Sequence, residues 1–232
     1  MGFAAIAVVI AGCAARTYGD PKAPVAGEVL GTVIHTQDAE ELRYVVLREL
    51  TDRFALEQGI TVTPDETEAY LRRLREALQK DRADNLARRD KLARELSAVG
   101  RSESERKALA AELDSTDRAI AALGSPGGAE MDAEEAKARE QVATAFIRHW
   151  KVNRALYRQF GGRIVFQQGG PEPLDAYRAF LEEQQARGNF RITDKGLEAA
   201  FWRYYVTDEI HAFYPRGSKE EAQAFAEPWW KD

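Results

Sequence analysis

The chain has 232 residues, 44% hydrophobic and 31% charged, with a formal net charge of -5. That length suffices for one substantial core, or for a core with an appendage. The acidic balance argues against a nucleic-acid partner, which calls for a basic face. The single cysteine excludes an internal disulfide and a Cys-rich metal site.

The opening run, Met1 to Cys13, is apolar but too short to cross a bilayer core, which takes ~20 residues. It has the apolar region and small residues of a secretory signal, although no Lys or Arg precedes them. Ile10-Ala11-Gly12-Cys13 resembles a bacterial lipoprotein box, with Cys13 as the lipid attachment point and mature N-terminus. The alternative is a buried N-terminal helix with an incidental cysteine. The only thiol standing where a lipid would cap it favours the first reading. Acyl chains contribute about 0.8 kcal/mol per buried CH₂, enough in combination to hold a protein on a membrane. Under the lipoprotein resemblance, Ala14 in place of an aspartate implies outer-membrane over inner-membrane retention.

Residues 14–27 are rich in Pro, Gly and Ala and read as a tether. The segment EVLGTVI, around Gly31, has a short β-rich character. Thr36 is placed to cap a helix whose Leu42, Val46, Leu50 and Phe54, with Val45 beside them, form one apolar stripe. Gly59 stands where such a helix ends in a left-handed residue, with Ile60 folding back on the last turn. Thr63, Pro64 and Glu66 then spell a capping box with proline at the first helical position. The new helix runs through Tyr70, Leu71, Leu74 and Leu78.

From Gln79 to Ala145 there is no aromatic residue. Leu86, Leu92, Leu96 and Val99 form a thin stripe, Gly100 breaks the helix, and Ser102 with Glu105 offers a second capping box. Leu109, Leu113, Thr116, Ile120 and Leu123 follow at alternating four and three. Two helices with narrow seams and broad charged flanks predict an antiparallel hairpin packed mainly on itself, closed by GSPGG at 124–128.

The remainder is aromatic-rich, holding 17 of the 22 aromatic residues from Phe146 onward. A helix is predicted from about Asp132 to Phe160, ended by Gly161-Gly162. RIVFQQ and FRIT are short strand candidates that pair with each other, with a turn and a helix between them. Thr193 or Asp194 opens a last long helix, expected to reach Phe213 before Pro215. Trp229 and Trp230 follow a proline near the chain end, and either dock on the protein or hang free.

No catalytic motif emerges. His35, His149 and His211 lack the spacing of a helical metal pair, and neither HExxH nor a nucleophile elbow occurs. Glu209 and His211 lie close in sequence without an identifiable third group. The acid pairs Glu134–Glu135 and Glu182–Glu183 are adjacent and so do not share a helical face. No cofactor and no metal site is expected.

Val29-Leu30-Gly31-Thr32-Val33-Ile34, then Leu50, then Gly59-Ile60-Thr61-Val62-Thr63 and Glu66, resemble the N-terminal helical domain of the SurA and PrsA peptidyl-prolyl-isomerase-type periplasmic foldases. That resemblance covers about Val25 to Leu78, with Leu30 where the family carries Asn. A parvulin domain is not recognisable, so isomerase activity is not implied. What the resemblance implies is a helical cradle that holds non-native chains by non-directional apolar burial.

The resulting expectation is a mainly α protein. It has a multi-helix foldase-like core, a protruding antiparallel helical hairpin and at most a small two-stranded β element. Its segments are a signal (1–13), a tether (14–27), a SurA-like helical segment (28–78), a charged hairpin arm (79–128) and an aromatic-rich C-terminal segment (129–232). Phe146, Trp150, Tyr157, Trp202 and Tyr205 are the candidate peptide-binding residues. The partners are unfolded or extended polypeptides, and a membrane through the lipid; the site is periplasmic. The rival readings are an adaptor that holds an envelope partner through the arm, and an envelope hydrolase.

Overall fold

The computed structural model describes residues 16–123, 133–167 and 169–231. The predicted signal and Cys13, and the GSPGG turn, lie outside the described residues. The protein is mainly helical, with 65% helix, and carries a four-strand mixed sheet and a two-strand hairpin. The expected limit of one small two-stranded element is therefore too low. It divides into two compact units.

The first unit joins the described part of Met1–Ile60 to Trp150–Ala226. Its sheet has the order β1 (Arg16–Gly19), β3 (Thr32–His35), β2 (Val25–Val29), β6 (Phe190–Ile192). β2 and β3 form an antiparallel hairpin, and its two turn residues, Leu30 and Gly31, have φ of 48° and 81°. Positive φ at both positions gives the twist that matches paired strands. β1 lies parallel to β3, and β6 antiparallel to β2 with Val29 opposite Phe190.

Residues 16–27, read as a tether, thus supply β1 and half of β2. The physical reason is specific at Gly27. A Cβ there would stand 2.4 Å from the Arg191 carbonyl oxygen, so the absent side chain lets β6 approach. FRIT pairs with this distant strand and not with RIVF.

Helix α1 (Ala39–Glu57) starts at Asp38, whose carboxylate accepts from the Glu40 and Glu41 amides. Thr36, the expected cap, instead accepts from the Asp38 amide and donates to Glu41. The stripe Leu42, Val46, Leu50 and Phe54 is buried, as expected, with Val45. The helix ends in a Schellman motif: Gly59 has φ of 62°, its amide donates to Leu56, and Ile60 donates to Ala55 at 2.8 Å.

Within this unit, α1 faces the sheet and α5 (Leu174–Ala186) and α6 (Lys195–Val206) complete the core. Phe54 meets Phe180 edge-on at 5.4 Å, and Phe190 lies 5.8 Å from Phe201. β4 (Val165–Gln167) pairs with β5 (Gly170–Glu172). α6 stops at Val206, short of the predicted Phe213, because the following chain turns back to β4. Phe166 donates to Ala212 at 2.8 Å, and Tyr214 donates to Ile164 at 2.9 Å. A 3₁₀ turn (Asp208–Ile210) and α7 (Lys219–Gln223) follow.

The second unit comprises the described parts of Thr61–His149 and Glu227–Asp232. α2 (Pro64–Ser97) opens on the capping box anticipated at Thr63 and Glu66, and α3 (Glu103–Ala122) on that of Ser102 and Glu105. Arg88 grips Glu112, and Arg82 donates to the Ile120 carbonyl, so the two helices run antiparallel. Leu92, Thr116 and Ile120 are buried in their seam. Val99 lies beyond the end of α2 and is fully exposed, leaving the stripe it was assigned to. α4 (Ala133–Phe160) begins in this unit and ends in the first.

Candidate functional site

An apolar groove lies in the second unit, between the early turns of α2 and the first half of α4. It encloses about 800 Å³, within the ~300–1,000 Å³ range of ligand clefts. Tyr70, Leu71, Leu74 and Leu78 form one wall, and Val142, Ala143 and Phe146 the other. The two helices meet at one end, where the Thr67 and Thr144 hydroxyls are 3.4 Å apart.

Two apolar stripes create this arrangement. Leu71, Leu74 and Leu78 recur at three- and four-residue steps, and Val142 and Phe146 stand one four-residue step apart. Tyr70 and Ala143 are buried at the floor, whereas Leu78, Val142 and Phe146 are 41%, 55% and 43% exposed. Large apolar residues left open side by side are what distinguishes an interaction surface from isolated surface hydrophobics.

Tyr70 is the hub of the groove's aromatic end. Its ring stacks with Phe146 at 6.3 Å, while Trp229 and Trp230 approach at 4.9 and 5.5 Å. Trp230 is buried and Trp229 is 51% exposed. Of the two alternatives for the terminal tryptophans, docking on the protein is the one observed. The charged residues of the groove are Arg75, Arg139 and Glu140, all exposed.

The structure separates the five predicted peptide-binding aromatics. Phe146 lines the groove. Trp150 is buried, with Phe225 at 6.4 Å and the Arg154 guanidinium 5.2 Å from its ring. Tyr157 is half-buried, its ring 5.1 Å from that of Phe225. Tyr205 is fully buried in the core that α1, α5 and α6 share with the sheet, and Trp202 is half-buried against it. Sequence reasoning missed Leu71, Leu74, Leu78 and Val142 as site residues. Their stripe spacing was visible, but a stripe does not say whether a partner covers it.

A polar cluster inside the first unit bears on the hydrolase reading. The Tyr204 hydroxyl lies 2.9 and 3.1 Å from the two Glu172 oxygens and accepts from Gln167 at 3.3 Å. His211 Nε2 is 2.6 Å from the Tyr204 carbonyl oxygen, its natural acceptor, and the Arg43 guanidinium sits 4.4 Å from the Tyr204 ring centroid. Tyr177 donates to Asn153 at 2.6 Å, and Asn153 donates to the Pro171 carbonyl. Burial pushes Glu172 above its ordinary range and raises the Tyr177, Tyr204 and Tyr205 hydroxyls still further from ionisation.

Phenols shifted that way do not serve as bases or nucleophiles near neutrality. His211 is tied to main chain, and Glu209 is exposed. His35 Nδ1 is 2.8 Å from the Ala23 carbonyl oxygen, and His149 is exposed. Among the described residues no group of three or more His, Cys, Asp or Glu is placed to hold a metal. No described helix is long and apolar enough to cross a membrane.

A second cleft, of about 350 Å³, lies where Arg53 and β6 face the β2–β3 turn. Its charges are already engaged. Arg191 pairs with Glu28 at 2.9 Å, and Arg53 pairs with Glu57 at 3.0 Å and donates to Asn189.

Comparison with protein-family models, with curated proteins and with solved structures finds no match for this chain.

Proposed function

We propose that the protein is a membrane-tethered, periplasmic, chaperone-like protein that binds apolar segments of other polypeptides without chemistry of its own. The observation that carries this reading is the open apolar groove between α2 and α4, with Leu78, Val142 and Phe146 uncovered at its rim. Burial there is non-directional, at about 25 cal/mol per Å² of apolar surface, so varied sequences are accepted. The lipobox-like sequence ending at Cys13 supports the tether and an outer-membrane site. The SurA- and PrsA-like features, of which the Gly59 stop and the Thr63–Glu66 capping box are formed in the structure, support the chaperone class.

Dilution of a denaturant-unfolded reporter protein, followed by light scattering, tests the proposal. The full chain lowers the scattering, and the Phe146→Asp variant does so less. Equal scattering with and without the protein would count against it.

An adaptor role is favoured by a different observation. At the tip of the α2–α3 hairpin, Val99 stands fully exposed between Ala98 and Gly100. Under that reading Val99→Asp abolishes capture of one envelope partner, and Phe146→Asp does not.

A further inference from the structure

We infer that the groove's preferred occupant is an amphipathic helix with acidic residues beside its apolar stripe. This deepens the polypeptide-binding reading and rests on it. Both walls are helix flanks. Residues 70–78 and 139–146 lie inside α2 and α4, past the first turn, where main-chain N–H and C=O groups are taken up within the helix. An extended segment entering the groove would bury its own main-chain polar groups along walls with no free main-chain partner, and the three charged side chains of the rim are too few to pair them all. Each such group left unpaired costs about 1–3 kcal/mol. A helical segment arrives with those groups already paired, and meets the walls through side chains alone.

The dimensions suit that occupant. Residues 70–78 span about 12 Å of helix axis, which matches anchors at i, i+3 or i+4, and i+7 on an approaching helix. The volume of about 800 Å³ admits several such apolar side chains.

Charge decides the flanks. Arg75 and Arg139 line the groove, one from each helix, and neither is ion-paired among the described residues. Glu140 is the one acid among the lining residues, so the rim carries a net positive charge. Acidic residues on either side of an apolar stripe complement the two guanidinium groups.

Three labelled 18-residue peptides, titrated into the full chain by fluorescence anisotropy, test this. One carries Leu at i, i+3, i+4 and i+7 with Glu on the flanks, the second has Lys for Glu, and the third has prolines that forbid a helix. The acidic helical peptide is expected to bind about tenfold more tightly than either other peptide, with a gain of helical circular dichroism. Arg75→Glu with Arg139→Glu is expected to transfer the preference to the Lys peptide. Equal binding of all three, lost in Phe146→Asp, overturns the helical acidic occupant and leaves the polypeptide-binding reading standing. Binding of none of them removes both. An unchanged charge preference in the double variant also overturns the inference.

Discussion

The rings of Tyr70 and Phe146 stack across the second unit with centroids 6.3 Å apart and planes inclined by 16°. Their burial is unequal, because Tyr70 lies at the floor and Phe146 at the rim. That asymmetry separates stability from binding. Tyr70→Ala opens a cavity and should cost about 3 kcal/mol or more in urea denaturation. Phe146→Asp should cost about 1 kcal/mol or less while abolishing peptide binding. Matching losses of stability in the two variants would show that Phe146 serves packing alone.

Trp229 reports on the same end of the groove. Trp150 and Trp230 are buried and Trp202 is half-buried, so Trp229 is the most accessible indole. Acrylamide quenching of the protein's emission should fall sharply in Trp229→Phe. Quenching that is unchanged would place the accessible indole elsewhere.

Tyr205 buries a hydroxyl with no hydrogen-bond partner among the described residues. Replacing it by Phe keeps the ring contacts with Phe201 and Trp202 and removes an unsatisfied polar atom. Stability should be unchanged or rise by about 1 kcal/mol, as read from the denaturation midpoint. A loss of more than about 1 kcal/mol would reveal a partner for that oxygen.

Two acids should impose opposite pH slopes. Burial raises Glu172 in the folded state, so its contribution is fully present below the unfolded value, about 4.3, and is lost as pH rises through the folded value. Glu172→Gln should therefore gain on the wild type between acid and neutral pH. Asp208 is held below its ordinary range by the Arg163 guanidinium, 2.6 Å away. Its contribution is present above about 3.9 and is lost as pH falls through the folded value. The deficit of Asp208→Asn should then vanish in strong acid. Thermal melts across pH that run parallel for all three proteins would refute both assignments.

Gly27 and Gly59 differ in what they avoid. At Gly27 an added methyl collides with the Arg191 carbonyl, whereas at Gly59 the surroundings are open and only the left-handed backbone is at stake. Gly59→Ala should cost about 1 kcal/mol. Gly27→Ala should cost more and loosen the β2–β6 pairing, seen as faster amide exchange at Arg191 and Thr193. Equal costs would mean the sheet yields readily there.

The contrast between these glycines also marks how far the sequence could be read. The joint at Gly59 to Glu66 was legible because a Schellman stop and a capping box are local devices. Each is written within a few adjacent residues. The α2–α3 seam was legible for the same reason, since its stripe spacing is a property of each helix. The four-stranded sheet was not. β2 hides in a Gly- and Pro-rich stretch, and its partner Phe190–Ile192 lies far away in sequence. Gly27 looks like linker flexibility until the Arg191 backbone is seen against it.

Among the candidate site residues, only Phe146 reached the groove. Trp150 and Tyr205 are as aromatic and as regularly spaced, yet the fold buries them in the first unit. Leucines 71, 74 and 78 marked the course of a helix, with no local sign that the helix facing them leaves them uncovered. Whether an apolar stripe is covered is a tertiary fact, absent from periodicity.

Methyl NMR of the full chain, labelled at Leu and Val, tests the central claim most directly. On addition of a permanently unfolded polypeptide, the methyls of Leu71, Leu74, Leu78 and Val142 should shift together, and those of Leu42 and Leu50 should stay in place. Shifts confined to the first unit, or none at saturating polypeptide, would contradict the account.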